Sequence, residues 1–319
     1  MVTTDVELLI IGAGPAGLSA AQYGARANLQ VLVIEALAPG GQALFIDTLE
    51  NYPGCFPPDS QPCSSGADLV EAMHRQALAF GAAFRTQGAR SLEKEGDFFM
   101  VLLENGETVR ARAVIVATGS RRRTLDVPGE QEFLGRGVSY CASCDGPFFK
   151  GKKVFVIGGG DAACAEAQFL SRLASQVMVV HRRDRFRAQK ALASRVLQNP
   201  QSTVRFNTRL KEIRGDLKVR SVILEDTHTG VSWEEVGDGV FIFAGTIPQT
   251  TLVPALTKDE QGYILTDPGM AASIPGIFCA GDVRSSPFRQ VVVAAGEGAV
   301  AAHSAAAYID RMKDPGASR

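Results

Sequence analysis

The chain has 319 residues, of which 45% are apolar and 21% charged, with a formal net charge of -1. That length suits two domains with large buried cores, and the composition is ordinary for a globular protein. The charge balance argues against general affinity for nucleic acid or anionic membrane, and six cysteines in so long a chain do not make a disulfide scaffold.

The first predicted strand, 6–11, is a continuous apolar run that leads straight into Gly12-Ala13-Gly14-Pro15-Ala16-Gly17. No secretory leader is therefore expected. No run approaches the ~18 apolar residues of a membrane span, and the expected compartment is the cytoplasm. An Ala-rich helix is predicted to about residue 27, then a strand over 31–35. In this strand–turn–helix context each glycine has a physical role. The first permits the tight turn, the second lets backbone approach a pyrophosphate, and the third lets helix pack on strand. The pyrophosphate then rests on the positive end of the helix. Glu35 lies 23 residues beyond Gly12, where a carboxylate accepts hydrogen bonds from an adenosine ribose. A cofactor with free ribose hydroxyls, such as FAD or NAD, is expected there.

Cys55 and Cys63 bracket a Pro-rich loop and read as two plain loop thiols, with a second redox pair as the alternative. Asn105-Gly106 marks a hairpin between 98–103 and 108–110. A closing strand over 114–117 then leads to Thr118-Gly119.

Cys141-Ala142-Ser143-Cys144-Asp145 follows. Two thiols two residues apart can close a small reducible ring, and one of them usually has a lowered pKa. Half of a structural zinc site is the alternative, but zinc wants four ligands in paired spacings. There is no second Cys-x-x-Cys, and His74, His181, His228 and His303 are scattered. Redox chemistry at Cys141 and Cys144, without metal, is the expectation. Asp145 can shuttle a proton beside them; its plainer role is a turn residue ahead of Gly146-Pro147.

The nucleotide layout then repeats. A strand over 154–157 precedes Gly158-Gly159-Gly160-Asp161-Ala162-Ala163, with Ala163 in the third small position. A helix to about 173 and a strand over 177–181 follow. A second hairpin turns at Thr229-Gly230 between 219–224 and 231–235, before a strand over 240–244. Here the residue 23 beyond Gly158 is His181. It heads His181-Arg182-Arg183, with Arg185 and Arg187 close behind, a set of cationic donors where a 2′-phosphate would lie. NADPH is expected at this site; a solvated basic turn is the bland alternative. Cys164 and Cys279 read as buried apolar residues, and the chain from 312 reads as a frayed tail.

Together these residues resemble the low-molecular-weight thioredoxin reductases over essentially the whole chain. Gly40-Gly41-Gln42, Glu50-Asn51-Tyr52-Pro53-Gly54, Ala117-Thr118-Gly119, Gly276-Ile277-Phe278-Cys279-Ala280-Gly281-Asp282 and Arg289-Gln290 extend the match. The resemblance implies an α/β fold of two Rossmann-like three-layer dinucleotide-binding domains. The NADPH domain (120–247) is inserted into an FAD domain made of 1–119 and 248–319. It also implies a homodimeric, NADPH-dependent flavoprotein that reduces thioredoxin. Gly12, Gly14, Pro15, Ala16 and Gly17 then form the FAD turn, and Glu35 takes the ribose. Gly41, Gln42 and Asn51 approach the flavin, and Asp282 holds the ribityl chain. Arg289 and Gln290 open a helix aimed at the flavin ring, and Ala117, Thr118, Gly119, Gly281 and Val291 complete the set. Gly158, Gly160, Asp161, Ala162, His181, Arg182, Arg183 and Arg187 would bind NADPH. Cys144 would face the flavin while Cys141 attacks the partner.

Ala162 and Ala165 depart from the polar residues frequent in the family's NADPH fingerprint. Two other readings remain at this point: a reductase of another disulfide acceptor, such as a peroxiredoxin system or a glutaredoxin-like protein, and a non-catalytic nucleotide-binding redox sensor. Cys144 precedes Gly158 by only 14 residues, so the dithiol and the nicotinamide site share a domain, and both must reach one flavin. A domain rotation is expected.

Overall fold

The computed structural model describes residues 3–46, 49, 51–55 and 65–314. It divides into two compact units, one formed by the chain up to Arg121 and from Ile247 onward, the other by Arg122–Thr246.

The first unit opens with β1 (Thr3–Ile11), α1 (Pro15–Arg26), β2 (Val31–Glu35), α2 (Gly66–Ala79), β3 (Ala83–Thr86), β4 (Ala89–Glu95), β5 (Phe98–Leu103) and β6 (Thr108–Val116), and β7 (Ser120–Arg122) lies at its boundary. Strands run in the order β3-β2-β1-β6-β5-β4, parallel from β3 to β6 and antiparallel beyond. Leu8, Leu9, Ile10 and Ile11 are all buried, because a central parallel strand is covered on both faces and so reads as an unbroken apolar run.

The second unit holds β8 (Val138–Ser139), α3 (Ala142–Asp145), β9 (Lys153–Gly158), α4 (Asp161–Ser171), β10 (Gln176–Val180), α5 (Lys190–Gln198), β11 (Ser202–Arg205), β12 (Thr208–Gly215), β13 (Val219–Asp226), β14 (Ser232–Val236) and β15 (Gly239–Phe243). A parallel sheet β11-β10-β9-β15-β8 carries its nucleotide fingerprint, and β12-β13-β14 form a separate antiparallel sheet. The chain leaves through β16 (Thr246–Pro248), which pairs with β7.

Back in the first unit come β17 (Ile277–Cys279) and the long helix α6 (Val291–Lys313). β17 pairs with β6, so the segment after the second unit completes an existing sheet.

Four expectations are corrected. Residues 108–110 and 114–117 do not form two strands, because β6 is continuous. Its front half pairs with β5 (Ala111 with Phe99) and its back half with β17 (Val114 with Ile277). The chain also contains a helix, α6, that is long and apolar enough by length and composition to cross a membrane. That composition serves packing: Ala301, Ala302, Ala305 and Ile309 share one buried core with Leu18, Ala20 and Ala21 of α1. Nor does the tail fray at 312, since α6 runs through Lys313, whose ammonium pairs with Glu7. Finally, Cys55 is disulfide-bonded rather than a plain loop thiol; Cys63 and the Pro-rich loop lie outside the described residues. Cys164 and Cys279 are free and buried, and burial pushes both thiols up to about 12.

Candidate active site

In the first unit the glycines divide the labour as their spacing predicts. A Cβ on Gly12 would stand 2.3 Å from the Ala117 carbonyl oxygen, and one on Gly17 would stand 1.9 Å from the Gly12 carbonyl oxygen. A Cβ on Gly14 would meet nothing within 4 Å. Gly14 N-caps α1, with Pro15 as the first helical residue. The outer glycines thus let strand and helix close up, and the middle one leaves open space before a helix N-terminus. Glu35 reaches back to this turn, where its Oε2 accepts the Ala13 N–H at 2.8 Å. The Gly40 N–H donates to the Ala13 carbonyl at 2.7 Å, which brings Gly41 beside Gly14.

Distant segments join this rim. Gln42 Nε2 donates to the Ser120 carbonyl at 2.7 Å and to its hydroxyl at 3.1 Å, and Ser120 in turn hydrogen-bonds Asp282. Asn51 Nδ2 donates to Gln290 Oε1 at 3.0 Å. The Thr118 hydroxyl donates to the Gln249 carbonyl at 2.7 Å, and Gln249 Nε2 donates back to the Thr118 carbonyl at 2.6 Å. α6 begins at Val291, directly after Arg289 and Gln290. The Arg289 guanidinium lies 3.8 Å from the centre of the Tyr263 ring, and its buried Nε has no hydrogen-bond partner among the described residues. Burial raises the proton affinity of Asp282; Arg289 opposes the rise and Glu297 adds to it. An open helix N-terminus, a sheltered carboxylate and an orphaned guanidinium nitrogen fit a flavin dinucleotide, with its pyrophosphate and polyhydroxyl chain.

The second unit builds its fingerprint alike. A Cβ on Gly158 would stand 2.4 Å from the Phe243 carbonyl oxygen, whereas one on Gly160, the N-cap of α4, would meet nothing within 4 Å. Asp161, the first residue of α4, accepts from Gln189 twice, from its N–H at 2.8 Å and its Nε2 at 2.7 Å. The Arg187 N–H donates to the Gly159 carbonyl at 2.7 Å. The basic loop is thereby strapped to the fingerprint turn. Arg182, Arg183 and Arg187 are exposed around it, and Ala162 follows Asp161 on the helix.

His181 does not join this cationic array, although its place in the sequence put it there. It is only 5% exposed. Burial, then Arg187 and Arg183, hold its proton affinity below the usual histidine range. A neutral ring costs far less to bury than a cation.

Cys141 and Cys144 form a disulfide, their Cα atoms 5.3 Å apart. Cys141 N-caps α3, and its Sγ accepts the Cys144 N–H at 3.2 Å. A helix N-terminus of this kind stabilises a thiolate on the first cysteine of the pair. The buried Ser139 hydroxyl brackets Cys141, accepting its N–H at 3.0 Å and donating to its carbonyl at 3.1 Å. Cys141 is buried and Cys144 exposed. Asp145 is half-buried at the end of α3.

Several residues of the site escaped the sequence reading. Ser120 opens the short strand β7 and Gln249 follows β16, and neither residue type gives a local signal in the sequence. Glu130, 1% exposed, accepts the Leu125 N–H at 3.0 Å, the Asp126 N–H at 2.7 Å and the Tyr140 hydroxyl at 2.5 Å. Glu297 did carry a signal: it is the only charged residue in the otherwise apolar run from Val291 to Ala302.

The family profile described as pyridine nucleotide-disulphide oxidoreductase matches residues 6–298. The thioredoxin reductase of Treponema pallidum (strain Nichols) is 53% identical over 311 residues, covering 98% of this chain and 99% of that protein. That of Bacillus subtilis (strain 168) is 42% identical over 310 residues, 97% and 96% of the two chains. The crystal structure of Lactococcus lactis thioredoxin reductase superposes with a TM-score of 0.91 at 38% identity, covering 96% of this chain and 99% of that one. The chain belongs to the pyridine nucleotide-disulphide oxidoreductases.

Proposed function

We infer that this pyridine nucleotide-disulphide oxidoreductase uses FAD and NADPH to reduce the disulfide of thioredoxin. The observation that carries the reading is the Cys141–Cys144 disulfide in the same unit as a nucleotide fingerprint strapped to an arginine cluster. FAD, when bound, supplies the two-electron relay between NADPH and the protein disulfide. In this reading the first unit is the FAD domain and the second the NADPH domain.

The chain's own residues divide the remaining work. Arg182, Arg183 and Arg187 hold the 2′-phosphate, and the open face at Gly160 admits the pyrophosphate. Gly14 and the α1 N-terminus take the FAD pyrophosphate, Glu35 the ribose and Asp282 the ribityl hydroxyls. Once the pair is reduced, the Cys141 thiolate attacks one sulfur of the partner disulfide and expels the other as a thiolate. The Cys144 thiolate then attacks the Cys141 sulfur, which restores the Cys141–Cys144 disulfide and releases the second partner thiol. Two electrons and two protons end on the partner, and Asp145 is the group beside the pair that can move a proton.

Phe148, 73% exposed, stands just beyond α3. Beside it a cavity of about 220 Å³ is lined by Arg136, Val138, Asp145, Lys152 and Lys218 among others. An exposed aromatic rimmed by charge is how a protein partner is anchored, and this face is where thioredoxin docks in the present reading. Homodimerisation is part of the same reading. It is supported by an exposed patch in the first unit where Arg26 stacks over both Tyr23 and Phe80. A cytoplasmic location suits a disulfide that is turned over rather than structural.

A stopped-flow experiment tests the function: NADPH should bleach the yellow protein, and oxidised thioredoxin should restore the colour. Bleaching without recovery on adding thioredoxin would point to another acceptor.

A further inference from the structure

A buried ion pair lies behind the proposed FAD cradle. The Arg284 and Glu297 side chains are 14% and 10% exposed, and the Arg284 guanidinium donates to Glu297 Oε1. Glu297 does more than neutralise Arg284. Its other oxygen, Oε2, accepts the backbone N–H of Gly281 at 2.8 Å. Arg284 is tied down separately, its Nε donating to the Thr266 hydroxyl at 2.8 Å and its N–H to the Gly281 carbonyl at 3.1 Å.

The place of this clasp gives it meaning. Gly281 has φ +76, and a Cβ there would stand 2.9 Å from the Ala16 Cβ in the first turn of α1 and 3.7 Å from the Ala294 Cβ in the first turns of α6. A Cβ on Gly298, next to Glu297, would lie 2.1 Å from the Ala16 carbonyl oxygen. The two helices therefore cross in backbone contact at the residue after Glu297, with the Gly281–Asp282 turn wedged between their N-terminal ends. Both helix fronts, and the carboxylate read as the ribityl partner, are referenced to one side chain. A buried ion pair is weak evidence for stability as such, because desolvation offsets the Coulomb gain. A carboxylate that also satisfies a turn N–H is better explained by what it orients.

We propose that Glu297, with Arg284 as its counter-ion, is a positioning residue for FAD: it holds the Gly281–Asp282 turn in register with the fronts of α1 and α6. The proposal rests on the reading of the first unit as the FAD site.

The test compares two readouts on apo-protein: thermal unfolding, and FAD affinity measured by flavin fluorescence quenching on reconstitution. In the double variant Glu297→Met/Arg284→Met, apolar side chains replace the pair, so apo stability should fall less than in Glu297→Gln, although the Gly281 N–H loses its acceptor. FAD should nevertheless bind more weakly by about tenfold or more, the scale of one lost charge-assisted hydrogen bond. Glu297→Gln keeps an oxygen for the Gly281 N–H while leaving Arg284 without its counter-ion. It should lose apo stability yet hold its FAD affinity within about threefold, a change smaller than half a kcal-scale tenfold step. A double variant that binds FAD as tightly as wild type would overturn the proposal, as would a Glu297→Gln protein whose FAD affinity falls tenfold. Should the double variant fail to fold, Glu297→Ala, which also removes the acceptor of the Gly281 N–H, takes its place, and FAD affinity near wild type in that protein would overturn the proposal. A wild-type apo-protein that takes up no FAD would instead overturn the FAD reading itself.

Discussion

The imidazole of His181 packs directly on Gly159: a Cβ added to that glycine would stand 2.4 Å from His181 Nδ1. The ring also stacks on Phe186 with centroids 6.1 Å apart and meets the edge of Phe206 at 6.5 Å. It acts as a neutral wedge that sets the fingerprint turn against the basic loop. Its folded-state pKa lies below the ordinary 6.5. On acidification the unfolded chain therefore takes up the proton first. The stability tied to this group is complete above about pH 6.5 and is lost as pH falls toward the folded value. His181→Gln, which cannot titrate, should flatten the fall of melting temperature below pH 6.5. Parallel melting curves against pH for the two proteins would refute the role.

Arg182 and Arg183 are exposed on the loop that the Arg187–Gly159 and Gln189–Asp161 hydrogen bonds hold in place. Replacing both by Ala should raise the KM for NADPH strongly, with each lost charge-assisted contact costing on the order of 1.5–3 kcal/mol. The KM for NADH should stay nearly constant, since it has no 2′-phosphate. Equal losses with both nucleotides would remove the 2′-phosphate assignment.

The thiol roles face a sharper test because the buried member of the pair is Cys141 and the exposed one Cys144. The N-cap position nonetheless favours Cys141 as the attacking thiolate, which requires a movement that uncovers it. Cys144→Ser should trap thioredoxin on Cys141 as a mixed disulfide, seen as a stable complex on a non-reducing gel. Capture by the Cys141→Ser variant alone would reverse the roles.

Glu130 binds the segment entering the second unit to Tyr140, the residue before Cys141. Burial and the adjacent Glu130 carboxylate raise the proton affinity of Tyr140 well above that of a free phenol. Tyr140→Phe should cost about 1.5–3 kcal/mol in denaturant unfolding, the worth of a hydrogen bond to a charged group. Thioredoxin reduction should slow while the KM for NADPH is unchanged, because the fingerprint turn does not touch this clasp. A matching rise in that KM would mark a general loosening of the unit.

Both fingerprints, the redox pair and the basic loop were legible in the sequence because each is a local chemical requirement. A turn at φ +103 beside the Ala117 carbonyl admits glycine alone, and a dithiol ring needs its cysteines close in the chain. The hairpins were legible for the same reason. Their fate was not: β6 passes from β5 to β17, while β13 and β14 leave the parallel sheet altogether, and strand pairing is a contest among distant edges. Charge state was likewise decided in three dimensions. His181 is ionisable in the sequence, but burial holds its proton affinity below the usual histidine range, and Glu297, an isolated acid in the sequence, meets the Arg284 guanidinium only in the fold. Spacing along the chain identifies which groups are present. Only packing determines their solvation and partners, and solvation sets the protonation each of them keeps.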